Sequence, residues 1–160
     1  MIITWSRFFL LKNNVGRSPT IRTGPYFDHT LRTTEGTYVL FESSGVPKDT
    51  MAYLRTPKIY IDKRKEDLYC VAIWLSMYGD EMGEVEIYAT FYDNEGNFRS
   101  GKKLGVIQGE QKSNCWGNNC VKNDNWVQQT YELPKWENNV QIRIGIKSGG
   151  ESFSGNIYFF

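Results

Sequence analysis

The 160-residue chain is predicted to be all-β: an antiparallel, jelly-roll-like β-sandwich of two packed sheets with little or no helix. Three observations predict it. Hydrophobicity recurs with a period of two, the repeat of a strand with one buried and one wet face. Fifteen glycines and five prolines fall mostly between the apolar runs, where turns belong. Aromatic residues make up 15% of the chain, and pleated, half-buried surfaces favour them. The spacing implies about nine or ten short strands, the pattern of a sandwich or jelly roll.

In chain order, residues 1–11 (MIITWSRFFLL) read as a strand. They lack the basic start, unbroken apolar run and small-residue cleavage site of an export signal, so any such signal is expected outside this chain. Residues 36–42 (GTYVLFE) and 58–61 are the next strands. Residues 69–77 (YCVAIWLSM) form a continuous apolar run, short for a helix and rich in β-branched and aromatic residues. A central strand covered on both faces is expected there. Val85, Ile87, Ala89 and Phe91 then alternate with Glu86, Tyr88, Thr90 and Tyr92. Asp93-Asn94-Glu95-Gly96 turns that strand into a hairpin whose partner begins at Asn97-Phe98-Arg99. Residues 104–108 and 126–133 are further strands. Val140, Ile142, Ile144 and Ile146 alternate with Gln141, Arg143, Gly145 and Lys147, and residues 155–160 close the set.

The charge balance narrows the function. Lys plus Arg number 19 and Asp plus Glu 18. Such a balance offers no basic face for nucleic acid and no attraction to an anionic membrane surface. No stretch approaches the ~18 apolar residues of a membrane span, so no direct membrane insertion is expected. The length suits one domain with a real core.

A series of motifs runs through the chain in a specific order: Trp5-Ser6-Arg7; Gly24-Pro25-Tyr26-Phe27-Asp28-His29-Thr30; Gly36-Thr37-Tyr38; Ala52-Tyr53-Leu54-Arg55-Thr56-Pro57; Cys70-Val71-Ala72-Ile73-Trp74-Leu75-Ser76-Met77-Tyr78-Gly79; and Gly155-Asn156-Ile157. In that order they resemble the MAM domain, the module of meprins, neuropilins and mu-type receptor tyrosine phosphatases. The resemblance spans nearly all of residues 1–160 as a single domain. It departs from the family at both ends: the opening strand with its Cys-Asp-Phe-Glu start and the closing acidic segment with its following cysteine are not in this sequence. The resemblance implies a non-catalytic, extracellular or cell-surface interaction module. Its expected partners are proteins, through adhesion, homophilic contact or assembly of a larger ectodomain. A carbohydrate-binding β-sandwich is the alternative, with a glycan as partner.

The three cysteines are Cys70, Cys115 and Cys120. Cys115 and Cys120 flank Trp116-Gly117-Asn118-Asn119, a loop able to bring their Cβ atoms within bridging distance. A disulfide is expected there, in keeping with an extracellular family; two free thiols in a flexible insert are the alternative. In the family the counterpart of Cys70 pairs with a cysteine near the C-terminal end. Within this chain Cys70 is expected either as an inert buried thiol or as paired to a cysteine outside it.

His29 is the sole histidine. No serine or cysteine has the context of an activated nucleophile, so no catalytic residue is assigned. Asp28-His29-Thr30 is read as a structural loop motif in which Asp28 accepts backbone N–H bonds. No cofactor is expected beyond a structural Ca2+ or Na+, for which Asp28 is the one nameable ligand. Trp74 and Met77 are expected in the core. Trp116 is either an exposed binding anchor or a cap on the end of the sandwich. Tyr88 and Tyr92, on the wet face of their strand, are the other candidate binding residues.

Overall fold

The computed structural model describes residues 11–15, 25, 27–42, 45–62, 68–78, 83–111, 126–134, 139–150 and 156–159. Ten strands run through the described residues: β1 (Leu11–Val15), β2 (Thr37–Glu42), β3 (Met51–Arg55), β4 (Ile59–Tyr60), β5 (Tyr69–Tyr78), β6 (Glu84–Tyr92), β7 (Phe98–Gln108), β8 (Val127–Leu133), β9 (Asn139–Lys147) and β10 (Asn156–Phe159). No helix occurs among the described residues.

The strands form two antiparallel sheets. The first has the order β1-β2-β10-β5-β8; the second has β3-β9-β6-β7, with β4 also paired to β9. Sequence neighbours are often not sheet neighbours. The chain crosses repeatedly between the sheets, which makes this a sandwich and not a pair of meanders.

Alternation decides which face goes inward. Val85, Ile87, Ala89 and Phe91 of β6 are fully buried, and the residues between them are not. Val140, Ile142 and Ile146 of β9 lie beside them in register. Val39 and Phe41 of β2, Ile73, Leu75 and Met77 of β5, and Ile157 of β10 complete one apolar core from the other sheet. Burying each of these larger side chains contributes about 1.5–3 kcal/mol.

The opposite face of the first sheet carries a second, smaller cluster. Tyr38 and Leu40 alternate with the core residues of β2 and point away from the core, where they meet Trp126 and the half-buried Trp74. Trp74 is therefore packed half-buried against this smaller cluster, on the outer face of the sheet. A run of consecutive apolar residues hides its own period, because both faces of β5 at this level have something to bury against.

Four expectations change. First, β5 is covered on both faces only in its second half: Cys70 and Ala72 are exposed. Strand β10 reaches β5 only from Leu75 to Tyr78, so among the described residues the stretch before Leu75 is paired on the β8 side alone. Cys70 is thus an accessible thiol and not a buried one. Second, β7 is one eleven-residue strand, not two. It breaks register with β6 at Ile87/Tyr88 and again at Phe91/Tyr92, and these irregularities scramble its alternation. Third, β3 is a full strand on β9. Fourth, β1 is also a strand, its polar centre (LKNNV) carrying no strand pattern. The strand expected over residues 1–11 lies outside the described residues, save for Leu11.

Candidate functional site

Two surfaces hold the residues singled out from the sequence. The first is the roof over the outer face of the first sheet. Asp28 is buried, and its carboxylate accepts the backbone N–H of Leu31 at 2.7 Å and of Thr33 at 3.2 Å. The Asp28 N–H in turn donates to the Thr33 carbonyl at 3.1 Å. A carboxylate is the natural choice here, since it accepts several N–H bonds at once and needs no proton of its own. Gly36 follows from the same packing: a Cβ at that position would overlap the Asp28 carboxyl group.

The Asp28 knot presents His29 to the sheet. Its imidazole stacks on Trp74, with centroids 3.8 Å apart and planes at 25°. Trp126 stands edge-on to both His29 and Tyr38, and its indole N–H donates to the Phe27 carbonyl at 2.9 Å. Thr30 is exposed beside them. This site arranges rings and backbone. Both Asp28 oxygens already accept backbone N–H groups.

The second surface is the outer face of the second sheet. Register sets Arg55 of β3, Arg143 of β9, Tyr88 of β6 and Lys103 of β7 in one row straight across the strands. The guanidinium of Arg143 lies 4.5 Å from the Tyr88 ring centroid and 5.3 Å from that of Tyr53. Tyr53 can lie there because its neighbour across the strand is Gly145, whose missing side chain leaves the ring its space. Lys103 lies 5.3 Å from the Tyr88 centroid and is ion-paired to Glu86, which also accepts the Tyr88 hydroxyl at 2.9 Å. The hydrogen bond from Lys103 holds the Glu86 carboxyl below its ordinary value, and Glu86 raises Lys103 in return. Further along, Lys58 sits 4.0 Å above Tyr92, whose hydroxyl donates to Gln141 at 3.2 Å. Each cation–π contact is worth roughly 0.5–2 kcal/mol depending on its exposure.

The sequence pointed to Tyr88 and Tyr92 on this face through alternation. It did not point to Arg143, Tyr53, Lys103 or Lys58 as their partners. Alternation could have placed Arg143 on the wet face, but only cross-strand register brings it to Tyr88. Cys115, Cys120 and Trp116 lie outside the described residues. Cys70 is among the residues lining an apolar cavity of about 810 Å³, with Val39, Leu54, Ile61, Ile73 and Ile142.

Among the described residues, these features define a two-sheet antiparallel β-sandwich with a loop packed on one outer face and tyrosines and cations on the other. Residues 10–157 match the model of the MAM domain family, meprin/A5/mu, and the chain belongs to that family. MAM domains are extracellular, adhesion-type modules, generally non-catalytic, found in extracellular or cell-surface proteins. Among solved structures, the chain is similar to the K1 cleaved adhesin domain of Lys-gingipain from Porphyromonas gingivalis W83, with a TM-score of 0.44 and 18% identity over 94% of this chain and 87% of that one.

Proposed function

We propose that this chain is a non-catalytic interaction module that binds another protein, a second copy of itself or a neighbouring ectodomain, through the outer face of the second sheet. One observation carries the reading: Arg143 braced between Tyr53 and Tyr88 on the outer face of the second sheet. Tyr and Arg are the residue types that dominate binding energy at protein interfaces. Here they are held in place before any partner arrives, which lowers the ordering cost of association. The Asp28–His29 loop covers the outer face of the first sheet at Trp74, and the exposed residues of β5 before it, Cys70 and Ala72, are small. A glycan partner is less well supported, because the Tyr88 ring has both Arg143 and Lys103 over it, and sugar stacking needs an open ring.

The test is adhesion. Beads or non-adherent cells displaying the domain are expected to aggregate, or to attach to cells bearing the parent protein. Tyr88→Ala and Arg143→Ala should abolish this while both variants still unfold in one cooperative transition, at a midpoint lowered only by the lost ring contacts. Undiminished adhesion by both folded variants would move the contact surface elsewhere.

A further inference from the structure

The cations of the second sheet are unequally compensated. Lys103 is paired with Glu86, Lys147 with Asp49 and Glu84, and Arg99 with Asp93. Arg55 and Arg143 face each other directly across β3 and β9, and among the described residues neither has a carboxylate within ion-pair distance. Alternation puts both side chains on the outer face, since Leu54 between Tyr53 and Arg55, and Ile142 beside Arg143, are buried. Like charges directly opposite on a sheet are destabilising. The Nε of Arg143 is moreover buried with no hydrogen-bond partner among the described residues.

We infer that Arg143 and Arg55 form a carboxylate-binding site that takes a Glu or Asp side chain from a short acidic segment of the protein partner. The inference rests on the proposed contact face and names the chemistry recognised there. A guanidinium is a planar fork that matches a carboxylate with two parallel N–H bonds. The two tyrosine rings fix the fork of Arg143 and leave it few orientations to lose on binding. Arg55, one strand away, adds a second cation to the same anion and is relieved of repulsion by it. The site suits one or two carboxylates and not a long polyanion: the neighbouring cations Lys103 and Lys147 are already held by Glu86 and Glu84, which leaves Arg55 and Arg143 open to an anion. The even balance of charge over the whole domain points the same way.

The experiment is a titration of the isotopically labelled chain with an end-blocked Gly-Glu-Glu-Gly peptide, followed by NMR through the Arg143 Nε–Hε signal and the amides of β3, β6 and β9. Gly-Gln-Gln-Gly is the uncharged control, and a heparin hexasaccharide is the competing polyanion. The acidic peptide is expected to shift the Arg143 signal and the control to leave it in place. Arg143→Met and Arg55→Gln are each expected to weaken binding about tenfold, the scale of one charge-assisted contact. Arg143→Lys keeps the charge without the fork, is expected to fall between, and decides the matter should the Met variant not fold. No shift, shifts confined to another surface, unchanged affinity in the variants, or tighter binding of the heparin fragment at this face would each overturn the inference. Adhesion that still depends on Tyr88 together with a silent peptide titration would overturn the carboxylate site alone and leave the proposed contact face standing.

Discussion

The imidazole of His29 lies almost flat on the indole of Trp74, the ring centroids 3.8 Å apart. The histidine comes from the loop and the tryptophan from the middle of β5, so the stack pins the roof to the sheet. His29→Ala is expected to cost about 1–3 kcal/mol in urea unfolding, from the lost stacking and the space left behind. In a double-mutant cycle with Trp74→Ala the two losses should overlap by at least about 0.5 kcal/mol. Full additivity would mean that the stack contributes nothing.

Gly36 and Asp28 are expected to behave as one unit. Gly36→Ala drives a methyl group into the Asp28 carboxyl group and should cost roughly 2–4 kcal/mol. Asp28→Ala strands the N–H groups of Leu31 and Thr33 and should cost about 1–3 kcal/mol. Shortening Asp28 to alanine removes the carboxyl overlap but leaves its Cβ too close to the added methyl, so the double variant should recover part of the Gly36→Ala loss and be more stable than the sum of the singles predicts. Calorimetric or urea midpoints for the four proteins measure this.

The Glu86–Lys103 pair sets a direction for acid stability. The Glu86 pKa in the folded chain is depressed below its ordinary value of 4.5 by the hydrogen bond from Lys103. A depressed carboxylate stabilises the fold fully above its unfolded value, and that contribution is lost as the pH falls through the lower, folded value. Asp93 acts in the same sense: the backbone N–H of Asn97 is the main cause of its lowering, with Arg99 assisting. Carbon-detected NMR titration should show both groups ionised below the ordinary carboxylate range. Glu86→Gln is expected to flatten the fall in unfolding midpoint between neutral pH and pH ~3. A fall as steep as in the wild type would show that the pair adds nothing.

The exposed Cys70 thiol is expected to react with a thiol reagent in the folded chain within minutes. We propose that Cys115 and Cys120 are bridged, which predicts one reactive thiol per chain under denaturing, non-reducing conditions. Three would remove the bridge.

Much of the fold could be read from periodicity, and the reasons it succeeds and fails are physical. Strands β6 and β9 are legible because each has one face in a dry core and the other in water. Strand β5 misleads because its outer face is also covered halfway along, so Trp74 looks like an inward residue and Cys70 like a buried one. The partial reach of β10, which leaves Cys70 open, is a pairing fact with no local signal. Strand β7 reads as two because its bulges shift the phase of a period-two pattern. The candidate site divides in the same way. Asp28 is legible because a carboxylate between a tight turn and a glycine has few other uses. Arg143 is illegible as a partner of Tyr88 because 55 positions of chain separate them, and only the register of β6 against β9 brings them into one row.

The Asp28 loop lies across one outer face of the sandwich, which gives the module a front and a back. With the proposed contact face on the other side, access to a partner would depend on which way the module is turned, with no change in any contact residue.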